Sequence, residues 1–223
     1  MRISHKFRFV FISKPRCGST SIRRMLDPFS DIFGTPFFRY HYHTTAYELK
    51  LHFKKMGWNW DEYFIFTTIR NPWDMMVSYY TFFKPDVNFI YNYEKERSGI
   101  KYQENNLSSF ENWVLHGMLK HHLLIENGKY YKKKKKKGFR RISLKETAFD
   151  ISNKMIVKKV LKIENINQTL PSIFKMLGIN SNFRLLKINS SKHENYRKYY
   201  SSETKKRVEK DFEVDIEVGK YLF

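Results

Sequence analysis

Cysteine is almost absent from this chain: Cys17 is the only one in 223 residues. No intrachain disulfide is possible, so the fold must hold by burial alone, and a reducing compartment such as the cytoplasm is the expected location. Long apolar runs are absent as well. Arg2, Lys6 and Arg8 precede an apolar stretch, Phe9 to Ile12, that is too short for the core of a signal peptide, and no segment has the length that spans a bilayer. No His/Cys cluster with metal-ligand spacing occurs, so no metal is expected. Acidic residues are few: 22 Asp and Glu face 42 Lys and Arg, a formal charge of +20. A surface of that sign concentrates nucleotides, nucleic acid or acidic glycans without choosing among them. Frequent Lys, Asn, Ile, Tyr and Phe, the bias of coding DNA rich in A and T, is a second source of the charge.

What is present suits a single domain over residues 1–223, with 17% aromatic residues to fill a core. Phe7 to Ser13 is apolar, β-branched and aromatic and reads as a buried strand, broken at Lys14-Pro15. A loop to Gly18 follows, then a helix that Ser19 or Thr20 can cap and Asp27-Pro28 stops. Thr44 or Thr45 caps a second helix ending near Gly57. Tyr63 to Ile69 repeats the strand pattern, and Asn71-Pro72 leads into a helix from Trp73 to about Phe83. Ser108 and Glu111 form a capping box for a helix near 109–122. Lys132 to Lys137 reads as a solvated loop. Met155 to Ile163 is a third apolar run, before a helix from about Ile166 to Leu177 that Gly178 ends. A last helix runs from Ser201 or Ser202 to about Gly219. Two strand-loop-helix units in succession predict an α/β fold: one P-loop-like domain with a central parallel sheet flanked by helices.

The loop after the first strand, Lys14-Pro15-Arg16-Cys17-Gly18-Ser19-Thr20-Ser21, turns straight into a helix start. Such a turn aims backbone N–H groups and the positive end of the helix dipole at one spot, which suits a phosphate group. The hydroxyls of Ser19, Thr20 and Ser21 add donors, and Lys14 and Arg16 add full charges. An ATP- or GTP-binding loop needs GxxxxGK[ST], but here Ser13 stands at the first glycine and Ser19 follows Gly18 in place of the lysine. The residues therefore suit a single 5′-phosphate group better than a metal-bound triphosphate. After the second strand, Arg70 precedes Pro72 and Trp73, and Ser78 comes round about one and a half turns later, so both can face one anion.

Together the two segments resemble the sulfotransferases that use 3′-phosphoadenosine 5′-phosphosulfate (PAPS), in particular the carbohydrate-type branch with its PKxGSTS-like loop and its RNPWDxxxSxY segment. The Asn195 to Phe223 stretch, with Tyr199-Tyr200, Asp215 and the closing Tyr221-Leu222-Phe223, is similar to the ending common in that branch. The likeness covers residues 1–84 and this ending. The resemblance does not extend to residues 85–150, which are expected to form the acceptor side. The resemblance implies that the first loop, from Lys14 through Cys17 and Gly18 to Ser21, grips the 5′-phosphosulfate, and that Arg70 and Ser78 grip the 3′-phosphate. The family usually has lysine where this chain has Arg16, which divides the leaving-group role between Arg16 and Lys14. It also implies in-line attack by an acceptor oxygen or nitrogen on sulfur, without metal, the acceptor being a glycan before a lipid, phenol or peptide. His43 lies where the family often shows a histidine and is the first candidate for the base, with His41 and Glu48 behind it. Lys192 and His193 are candidates to close over the nucleotide, and the lysine run to steer an acidic acceptor. Two rivals remain open: a kinase-like phosphoryl transferase, and a non-catalytic basic module that binds nucleic acid.

Overall fold

The computed structural model describes residues 1–35, 41–82, 109–115, 142–180 and 193–223. The lysine run, Lys192, Ser108 and most of 85–150 lie outside the described residues.

Three strands carry the apolar runs: β2 Phe9–Ile12, β4 Phe64–Ile69 and β5 Lys159–Lys162. β2 pairs with β4 and β4 with β5, all parallel, with Ile12 opposite Thr67 and Thr68 opposite Leu161. Alternate residues point to opposite faces. Val10, Ile12, Ile65 and Ile69 enter one core with helix α2 (Ala46–Lys55), the helix α3 over residues 72–82, α4 (Phe110–Leu115) and α5 (Leu144–Ala148). Phe9, Phe11, Phe66 and Leu161 enter a second core with α1 (Ser19–Leu26) and α6 (Ile166–Met176). Both faces are covered, which is why β2 and β4 read as unbroken apolar runs.

The sheet is mixed, not wholly parallel as expected. Its order is β3-β1-β2-β4-β5, with β1 (Arg2–Ser4) antiparallel to β2 and β3 (Ile32–Phe33) antiparallel to β1. β1 and β3, of three and two residues, are too short for a periodic signal. The β1–β2 turn also lacks a glycine or Asn-Gly pair: Arg8 takes the left-handed conformation at φ 51° instead.

The last helix is two: α7 (Ser202–Asp211) and α8 (Glu213–Gly219), broken at Phe212, which is 3% exposed. Burial of that ring turns the chain, and α8 then lays Asp215 against the opening loop. No helix among the described residues is long and apolar enough to cross a membrane.

Candidate functional site

β2 and β4 are parallel neighbours, so the segments that follow them, residues 13–18 and 70–71, emerge side by side at the carboxyl edge of the sheet. Thr67 Oγ1 donates to the Ile12 carbonyl at 2.8 Å and Thr68 Oγ1 to the Cys17 carbonyl at 2.7 Å, so β4 holds the first loop at both ends.

That loop opens α1 by backbone geometry. The N-cap is Gly18 at φ 70°, not Ser19 or Thr20, and no side chain caps the helix. A Cβ on Gly18 would stand 2.2 Å from Ile163 Cδ1, so only glycine fits. The first N–H groups of α1 therefore have no side-chain acceptor at the cap. Ser19 and Ser21 are buried and Thr20 is half-buried along this turn.

The charged loop residues point opposite ways. Arg16, at φ 56°, turns outward; its Nη2 donates to Ser78 Oγ at 2.8 Å, its Nε to the same oxygen at 3.2 Å, and the Phe82 ring lies 4.5 Å from its Cζ. Lys14 turns inward: fully buried, its Nζ lies 2.8 Å from Asp215 Oδ1 and 3.3 Å from Met75 Sδ. Burial alone would lower its pKa, but the Asp215 carboxylate, charged and close, outweighs that and raises it. Lys14 thus does not present its ammonium at the loop mouth, and of the two cations expected to share the leaving-group role only Arg16 faces outward. The Cys17 thiol is also buried, its pKa pushed up by burial. Cys17 is wholly buried, its carbonyl taken by Thr68, so it does not present its side chain at the loop mouth.

The second segment is built differently. Asn71 Oδ1 accepts from the N–H groups of Trp73 at 3.1 Å and Asp74 at 3.3 Å, and Pro72 starts α3, so this helix is capped by a side chain. Arg70 bonds Asp74 Oδ2 through Nε at 2.6 Å and reaches the Arg16 carbonyl at 3.4 Å. His193 Nε2 lies 3.7 Å from the other oxygen of Asp74. Arg70 and Ser78 meet through Arg16, which stands between the two expected anion grips. Burial lowers the pKa of Arg16, and the like charge of Arg70 lowers it further. An anion beside both groups would offset that repulsion.

His43 lies at the entrance to α2, half-buried, with Nδ1 2.6 Å from the Ser13 carbonyl. A carbonyl only accepts, so Nδ1 carries the proton and Nε2 remains an acceptor. Burial pushes the pKa of His43 down to about 3, with Arg23 and His41 adding repulsion. The ring is neutral at neutral pH. His41 Nδ1 accepts the His43 backbone N–H at 3.2 Å. Glu48 is spent on structure: its Oε2 accepts from the Thr45 N–H at 2.9 Å and Thr45 Oγ1 answers Glu48 N, a capping box for α2. Of the three expected bases, His43 alone combines an acceptor nitrogen with contact to the loop.

The contacts of four residues escaped the sequence. Asp215 pairs with Lys14, Thr68 holds Cys17, Asp74 holds Arg70, and Glu164 bridges the Asn71 N–H at 2.7 Å and the Tyr221 hydroxyl at 2.9 Å. Each makes its contact across the fold except Asp74, whose i,i+4 spacing from Arg70 was a legible signal. No group of three or more His, Cys, Asp or Glu among the described residues could hold a metal ion. Comparison of the chain with family models, curated proteins and solved structures found no match to any of them.

Proposed function

We propose that the chain is a sulfotransferase that moves a sulfuryl group from PAPS to a hydroxyl or amine of an acceptor, a carbohydrate first among the candidates. The observation that carries this is the 2.8 Å contact of Arg16 with Ser78, which joins the uncapped helix start after β2 to the Arg70 segment after β4. The uncapped start of α1, Arg16 and the hydroxyls of Ser19, Thr20 and Ser21 suit the 5′ end of the nucleotide. Arg70 and Ser78 suit its 3′-phosphate.

The acceptor oxygen attacks sulfur, the bond from sulfur to the bridging oxygen breaks, and its electron pair stays on the 5′-phosphate of the departing 3′,5′-adenosine bisphosphate. Arg16 stabilises that growing charge, and as a permanent cation it does so without giving up a proton. His43 Nε2 takes the acceptor proton. Anionic nucleotide beside the ring offsets the repulsion from Arg23 and raises its basicity when it is needed. No step calls for a metal. The buried thiol of Cys17 suits a reducing compartment such as the cytoplasm.

Thermal shift with 3′,5′-adenosine bisphosphate against ATP at high salt tests the proposal. Stronger stabilisation by the bisphosphate is expected. Equal or greater stabilisation by ATP favours the kinase-like rival, and a response that vanishes with salt favours the nucleic-acid-binding one. Transfer from labelled PAPS to a panel of glycans and phenols then names the acceptor.

A further inference from the structure

We infer that Asp215 is a positioning residue that sets the shape of the nucleotide loop from beneath; this rests on the loop binding a nucleotide as proposed above. The Asp215 carboxylate is fully buried in the first turn of α8. Its Oδ1 lies 2.8 Å from Lys14 Nζ, and its Oδ2 accepts the Leu144 N–H at 2.6 Å, the first residue of α5. Lys14 Nζ also touches Met75 Sδ of α3 at 3.3 Å and Cys17 Sγ at 3.7 Å. The Lys14–Asp215 pair thus ties together the loop, the helix after β4, and the chain as it returns from the expected acceptor side.

Burying an ion pair costs the hydration of both charges, and well-packed apolar residues usually hold a core as well or better. Stability alone is a poor reason for a fully buried Lys14–Asp215 pair. The loop offers a better one. Arg16 holds a left-handed φ of 56°, a conformation that a residue with a side chain keeps only when its neighbours enforce it. It is pinned on one side by Lys14 to Asp215 and on the other by Thr68 to the Cys17 carbonyl. Releasing the Lys14 anchor lets the backbone relax, and the Arg16 guanidinium leaves Ser78.

The test is the double variant Lys14→Met/Asp215→Leu, which removes both charges and keeps their bulk. It is expected to melt within a few degrees of the wild type yet bind 3′,5′-adenosine bisphosphate at least ten-fold more weakly by titration calorimetry. A purely structural pair would leave that affinity at a temperature far below melting unchanged, and equal affinity in a folded variant overturns the inference. Asp215→Asn, which keeps an acceptor for Leu144, carries the same measurement if the double variant does not fold. If neither folds, the pair is a folding determinant only and the inference fails. Failure of the wild type to bind the bisphosphate is a different result: it removes the sulfotransferase proposal itself.

Discussion

The two strand-loop-helix units at the sheet edge share a plan and differ in how the helix begins. α1 starts at a left-handed glycine with no side-chain cap, whereas α3 starts with Asn71 satisfying two N–H groups and Pro72 supplying none. The first unit can therefore bind an anion with its backbone. The second commits two of its backbone donors to Asn71, so in the proposed function its grip falls to side chains, Arg70 and Ser78. Arg70 is held ready by Asp74, and Arg16 spans the gap. The difference suits the two ends of one nucleotide: amides for a 5′ group whose charge changes during reaction, fixed cations for a 3′-phosphate that only anchors.

Breaking the units one at a time should separate these roles. His43→Ala belongs to neither grip and should lower turnover by about 10²- to 10⁴-fold while leaving bisphosphate affinity intact, as steady-state rates and calorimetry would show. Full turnover would reassign the base. Arg70→Ala should weaken 3′,5′-adenosine bisphosphate by about 10- to 150-fold, the worth of a charged hydrogen bond, with little change in melting temperature, since its pair with Asp74 is partly solvated. Gly18→Ala should cost about 2–4 kcal/mol in urea unfolding, through the positive φ and the overlap with Ile163, and weaken nucleotide binding as well. Asn71→Ala should cost about 1 kcal/mol of stability and leave nucleotide affinity nearly unchanged, because α3 offers its cap to the fold and not to a ligand.

The pH dependence of stability gives a separate check. The pKa of His43 is depressed in the folded state, so the stability it contributes is whole above about pH 6.5 and is lost as pH falls toward about 3. Urea midpoints between pH 7 and 4 should fall less steeply in His43→Asn than in the wild type. Parallel curves would place the acid sensitivity elsewhere.

Much of this contrast was legible in residues that act locally. β-branched and aromatic runs marked β2 and β4, and Asn71-Pro72 marked a helix start, whereas Ser78, expected to face an anion with Arg70, is fully buried with its hydroxyl held by Arg16. Side-chain direction was not legible. Lys14 and Arg16 are two positions apart in one loop, and only the tertiary position of Asp215 decides that one turns inward. Asp215 in turn depends on the break at Phe212, a helix interruption with no proline or glycine to announce it. Glu48 looked like a spare base until its place three residues after Thr45 proved to be a capping box, a pattern the sequence did contain. The two-residue β3 and three-residue β1 carried too few side chains to show a period.

Binding of 5′-AMP and of 3′,5′-adenosine bisphosphate to the wild type and to Arg70→Ala, by calorimetry at one salt concentration, tests most directly whether the two units hold one molecule. The bisphosphate should bind more tightly than 5′-AMP to the wild type. That preference should disappear in Arg70→Ala while the affinity for 5′-AMP stays as it was. Equal affinities in the wild type, or a variant that loses both nucleotides alike, would contradict the account.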